Sequence, residues 1–201
     1  MTAEGREPAR DAAWVVIDTP LPAAELTGFC RQTEALYRIN PFLEIESWKP
    51  SGHGAFRASL RNHSNDQQVR LDASVRVESD RAWRIDFAEG AKSSTRFEVE
   101  PLPTGSRLTI TDEYRVREDA EAMAANEVDR SLHAWGVAIK GFVERDRRWG
   151  WLPLYRFYMR RVWLPMTPAG RRIMFLVLVI AVADVALVAL GFGVYWLEAL
   201  R

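Results

Sequence analysis

The sequence predicts an α+β domain: a strongly curved, seven-stranded antiparallel sheet around a long C-terminal helix. An interfacial amphipathic segment and one transmembrane helix follow it. Three observations predict this. From Phe42 to Val116 the apolar pattern repeats every second residue and is broken at hairpin intervals. From about Asp119 to about Arg147 it repeats at helical spacing. Ile173–Leu197, "IMFLVLVIAVADVALVALGFGVYWL", is apolar almost throughout. The expected organisation is a polar leader over 1–12, the α+β domain over 13–147, a basic aromatic collar over 148–170 and the membrane helix over 171–201.

The elements follow in order. "MTAEGREPARDA" lacks an apolar centre and is not expected to act as a signal peptide. "AWVVIDT" reads as a strand. "PLPAAELTGFCRQTEALYRIN" is helical in composition, with Pro20 and Pro22 at its start and Gly28 as the expected division into two short helices. Six strands are expected over 42–49, 54–63, 67–79, 82–88, 92–100 and 106–116. The connections "PSGHG", "SND", "ESD", "EG" and "PLPTG" are hairpin-length, which makes the pairing antiparallel. In "VRLDASVRV", Val69, Leu71, Ala73, Val75 and Val77 share a face opposite Arg70, Asp72, Ser74 and Arg76. In the last helix Val128, Leu132, Trp135, Ile139 and Phe142 form one stripe, with Asn126, Arg130 and His133 around it.

A sheet face and a helix stripe are both buried only if the sheet bends around the helix, and such a grip commonly leaves a cavity. Strand parity sends Phe56, Asn62, Val75, Trp83, Thr95, Phe97, Asp112 and Tyr114 inward, to meet Leu132 and Trp135. A few polar groups in an apolar cavity is the usual pattern of a ligand site. Asp112 is the best candidate for an acid or base, because desolvation raises a buried carboxyl's pKa. The alternatives are a bulge that turns Asp112 to solvent, or a carboxylate that only completes a buried hydrogen-bond network. His53, His63 and His133 are isolated, Cys30 is the single cysteine, and no metal site is expected.

The element order resembles the START-like (SRPBCC) superfamily, which includes Bet v 1-type proteins, polyketide cyclases and dehydratases, and lipid-transfer domains. "TPLPAAELTGFC" after the first strand, "YRINPFLEI" entering the second and the late amphipathic helix carry the resemblance, over about residues 13–147. It implies a helix-grip fold with an internal cavity for an apolar ligand. It names no ligand and transfers no catalytic residue.

The terminal run is roughly 37 Å long as a helix, against a hydrocarbon core of about 30 Å. It contains fifteen Leu, Ile, Val or Phe residues. At the low end these contribute about −4.5 kcal/mol, more than the roughly +2.5 to +3.5 kcal/mol cost of Asp184 at its centre. Arg160, Arg161, Arg171 and Arg172 precede the run and only Arg201 follows it, which places the N-terminal bulk in the cytoplasm, at the inner membrane. The overall charge of zero conceals an asymmetry. Residues 145–172 carry eight Arg and one Asp, and 173–201 net −1, which leaves −6 for 1–144. A basic cluster beside a span is expected to meet anionic headgroups rather than nucleic acid.

Trp149, Trp151, Arg156, Arg160, Arg161 and Trp163 make the collar an interfacial segment, with packing on the domain or on a partner as the alternative. Asp184 is expected to pair with a polar group on another transmembrane helix, in a homo-oligomer or a larger complex, with a lipid-facing Asp tolerated by the apolar helix as the alternative. The leading expectation is therefore a membrane-anchored, non-enzymatic protein. It holds a lipid, isoprenoid or quinone at the cytoplasmic face, or serves as accessory subunit of a membrane enzyme, with no cofactor beyond that ligand. A cyclase or dehydratase and a purely structural subunit are the alternatives.

Overall fold

The structure, a computed structural model, describes residues 12–115 and 123–199. Most of the polar leader, Val116 and Asp119 lie outside the described residues, as do the side chains of Asn126, Val128 and Arg130. The chain forms two compact units, Met1–Pro165 and Met166–Arg201.

The first unit opens with β1 (Ala12–Thr19), α1 (Ala23–Cys30) and α2 (Thr33–Ile39). Six strands follow: β2 (Leu43–Gly52), β3 (Ala55–Asn62), β4 (Gln67–Ser79), β5 (Ala82–Phe87), β6 (Lys92–Leu102) and β7 (Gly105–Tyr114). After them come α3 (Met123–Trp149), α4 (Pro153–Tyr158) and a π-helical turn at Met159–Trp163. The seven strands form one antiparallel sheet in the order β1-β7-β6-β5-β4-β3-β2, so β1 and β2 are the two edges. With α3 against its inner face, this is a helix-grip fold.

Hairpins join β2 through β7, as their short connections require. Bulges bend the strands where the register shifts, between Ile45 and Ser47, Val77 and Ser79, and Lys92 and Ser94. Inward alternation is complete on the later strands: Trp83, Ile85, Phe97, Leu108 and Ile110 are fully buried. On β4 it fades. Ala73 is buried, Leu71 and Val75 are half-buried, and Val77 is 60% exposed beside its bulge.

α3 lies closest to β1. Gly136 makes the approach possible, because a Cβ there would come within 2.9 Å of Val15 Cγ2 and 3.2 Å of Ile17 Cγ2. Large rings bridge from α3 to the more distant strands. The break between α1 and α2 falls after Cys30, not at Gly28, which is an exposed residue within α1. The guanidinium of Arg31 donates to the carbonyls of Ser79 and Asp80 at 3.1 and 3.0 Å, which ties the break to the β4–β5 turn. A lone glycine costs a helix only about 1 kcal/mol and need not end it.

The second unit contains α5 (Pro168–Ala199). Thr167 Oγ1 accepts the Gly170 N–H at 3.1 Å, and Pro168 occupies the first turn, where its missing N–H costs nothing. At 1.5 Å per residue the helix is about 48 Å long. Over Pro168–Gly193 it is long and apolar enough to cross a membrane, and its side chains from Arg172 to Gly193 are exposed. Asp184 is exposed among them.

Candidate functional site

The first candidate site lies on the inner face at the β6–β7 end. Asp112 is 2% exposed and pairs across the sheet with Thr95, which is fully buried. The Thr95 hydroxyl donates to Asp112 Oδ1 at 2.6 Å. Lys92 Nζ donates to Oδ2 at 2.5 Å, and the Tyr114 hydroxyl reaches the same oxygen at 3.5 Å. Lys92 comes to this face through the bulge. Ser93 is the extra residue, so Lys92 pairs with Tyr114 while Ser94 pairs with Glu113. Without it, two residues three apart on a strand would point to opposite faces. The Lys92 side chain is one-third exposed, so the pair is only partly desolvated.

Burial first, then the Asp112 charge and its hydrogen bond, push the Tyr114 hydroxyl well above the ordinary tyrosine range. Burial and, secondarily, Asp112 do the same to Tyr37. Both phenols therefore stay protonated. Asp112 has partners on both oxygens, so the geometry is that of a completed hydrogen-bond network more than of a poised acid or base.

The other inward residues meet each other. Trp83 stacks on Phe97 at 5.2 Å, and Phe97 meets the edge of Trp135 at 5.9 Å. Trp135 contacts Tyr37 at 5.5 Å and donates its indole N–H to the Leu36 carbonyl at 3.0 Å. Tyr37 contacts Phe56 at 6.2 Å, and Phe56 stacks on Trp48 at 4.3 Å. Leu132 is buried within the same core. This chain of rings occupies the middle of the grip, where the sequence places a cavity. Toward β2 and β4 the apolar inner surface stays half-buried, at Trp48, Leu71 and Val75.

Asn62 departs from its expected place in a cavity. Its side-chain oxygen accepts from the Ser64 N–H at 3.0 Å and from the Ser64 hydroxyl at 2.8 Å, so it holds the exposed β3–β4 turn. Strand parity is kept at Asn62, but the strand ends there and the turn claims the carboxamide. His63 pairs with Glu44 at 2.7 Å, and His133 is exposed.

The collar divides between two surroundings. Met159 is buried in the domain core, and Tyr155, Tyr158 and Leu164 pack against it. Trp163, expected at a lipid interface, instead packs on Phe142 with ring centres 5.7 Å apart. Trp151, Leu154 and Phe157 face outward, 74%, 79% and 61% exposed, and Trp149 is less exposed beneath Arg148. Arg156, Arg160 and Arg161 are exposed.

Sequence reasoning missed a second site. A half-open cleft of about 450 Å³ lies among α1, the end of α3 and the collar. Phe142 and Val143 form its buried floor, and Phe29 stacks on Phe142 at 5.2 Å. Glu25, Asp146, Arg147, Trp151, Arg156 and Arg160 are its exposed wall. Sequence spacing gave no signal for it, because its parts come from segments more than a hundred residues apart.

No protein-family model matches the chain, and no curated protein matches it. Solved structures do match its fold. One is a START superfamily protein from Mycobacterium smegmatis, at 16% identity and a TM-score of 0.57, covering 67% of this chain and 98% of the other. A protein from Thermus thermophilus matches at 12% identity and 0.55, covering 67% and 97%. A protein from Nitrosomonas europaea matches at 10% identity and 0.55, covering 71% and 99%. At these identities the likeness is one of fold. Nearly all of each of those chains is covered, so about a third of this one has no counterpart in them.

Proposed function

We propose that this protein is a membrane-anchored, helix-grip binding domain that holds a lipid-like apolar ligand at the cytoplasmic face of the inner membrane. One observation carries the reading: an exposed apolar helix follows directly on a fold suited to enclosing apolar ligands. A water-soluble chain would leave Ile173–Phe192 with a large free-energy penalty, at about 25 cal/mol per Å² of apolar surface. A bilayer removes that penalty. The outward Trp151, Leu154 and Phe157, beside Arg156, Arg160 and Arg161, suit a headgroup layer.

The half-buried surface at Trp48, Leu71 and Val75 is the place for the ligand. A second reading is a structural subunit of a membrane complex, and the ring network through the middle of the grip favours it. The cyclase or dehydratase alternative keeps Asp112 as its candidate acid or base, held by Thr95, Lys92 and Tyr114.

Organic extraction and mass spectrometry of protein purified from its native membrane separates these readings. A stoichiometric lipid, isoprenoid or quinone is expected. A chain that repeatedly carries none, with a closed interior, supports the structural subunit.

Asp184 is assigned to a polar partner on a neighbouring transmembrane helix, of a second copy or another subunit, since one helix provides no polar surroundings of its own. Asp184→Leu is expected to reduce the native particle size in mild detergent. An unchanged particle contradicts the assignment.

A further inference from the structure

We infer that the cleft among α1, α3 and the collar binds the phosphodiester headgroup of an anionic membrane lipid. This site is separate from the grip interior, and its lipid-facing role rests on the reading of α5 as a span.

Two features define the occupant. The first is charge. Arg147, Arg156 and Arg160 share the cleft with Glu25 and Asp146, a net of +1. Arg147 already donates one N–H to the Pro20 carbonyl. Among the described residues no ion pair forms at Arg156 or Arg160, which stand one helical turn apart on the same wall. Two guanidiniums with free donors match the oxygens of a phosphodiester, which a guanidinium engages through paired hydrogen bonds. The two carboxylates are placed to accept from hydroxyls, as on a glycerol headgroup, and would repel a second anion.

The second feature is the floor. Phe29, half-buried above Phe142 and Val143, and the exposed Trp151 present apolar surface to the cleft, which a small anion alone would leave facing water. A lipid places the glycerol backbone and the first methylenes there. The volume of about 450 Å³ is enough for a headgroup and the start of its chains.

Only three residues lie between Leu164 and Pro168, so the chain allows α5 to begin at most about 14 Å from the collar's end. The outward Trp151 and Phe157 then meet the same headgroup layer.

The test uses the full-length chain in non-ionic detergent, titrated calorimetrically with dihexanoyl phosphatidylglycerol. Saturable binding at one site per chain is expected. Arg156→Glu with Arg160→Glu weakens it at least about tenfold. Arg70→Glu with Arg81→Glu, on exposed positions elsewhere, leaves it unchanged. Dihexanoyl phosphatidylcholine binds at least about tenfold more weakly, because its trimethylammonium offers the two carboxylates no hydrogen-bond donor and its net charge is zero.

Three results overturn the proposal: binding indifferent to the Arg156/Arg160 reversal, equal binding of phosphatidylcholine, or competition by glycerol 3-phosphate at the lipid's own affinity. The last would make the cleft a soluble-phosphate site. Thermal unfolding of each variant confirms that it is folded, and Arg156→Lys with Arg160→Lys retains part of the affinity. Alkaline extraction of membranes reads the span separately. A chain that alkali strips off but that still binds the lipid contradicts the span and leaves the cleft assigned.

Discussion

Asp112 is held by three side chains of one face, Thr95, Lys92 and Tyr114. Hydrogen bonds to a charged group contribute about 1.5–3 kcal/mol each, but the partial exposure of Lys92 discounts its share. Asp112→Asn keeps the Thr95 bond and removes the charge, and is expected to cost about 1–3 kcal/mol in denaturant unfolding. Lys92→Met costs at least as much, because it leaves a buried carboxylate unpaired. The double variant recovers part of the loss, and simple additivity would show that the two groups are uncoupled. Parity in "LTITDEYRV" was enough to find Asp112 and Thr95. It could not find Lys92, because a bulge at Ser93 changes the face of every residue before it and "AKSST" carries no glycine to mark the bulge. Parity also places Asn62 inward without registering that the strand ends there.

Among the elements, the contact of α3 with β1 depends on one missing side chain. A methyl at Gly136 would press on two branched residues, Val15 and Ile17, which have little rotamer freedom to move away. Gly136→Ala therefore lowers stability by about 1–2 kcal/mol, even though alanine is the better helix former. Gly28→Ala is the contrasting case: nothing lies within 4 Å of the added Cβ, and a gain of about 0.5–1 kcal/mol is expected. Thermal unfolding of the pair checks both signs. The same comparison explains why Gly28 misleads as a helix breaker: its effect is local and small, whereas the Arg31 bonds that set the break reach across to residues 79 and 80. Strands and long helices were legible from period alone. The collar was only half legible, since its composition fits lipid and protein alike. The structure turns Met159 and Trp163 to the domain and Trp151, Leu154 and Phe157 outward.

For the whole molecule, the charge pattern and the terminal apolar helix were plain in the sequence, and the antiparallel grip followed from hairpin-length connections. The ring chain through the middle of the grip was not, because pattern gives the face of a residue and not the space left between faces. Trp83, Phe97 and Trp135 read equally well as lining or as filling. The cleft was hidden for a related reason, since sequence does not reveal which distant segments meet.

The proposed function requires a binding domain tethered inside the cell by α5. Cys30 is the only cysteine and is buried, with its thiol pushed up by burial, so it takes little part in labelling. Cys30→Ala combined with Ser51→Cys, in the exposed end of β2, gives one reactive site. A membrane-impermeant maleimide should label this variant in inverted vesicles and not in intact cells, and the labelled chain should stay in the membrane at alkaline pH. Labelling in intact cells, or release of the chain by alkali, would contradict the account.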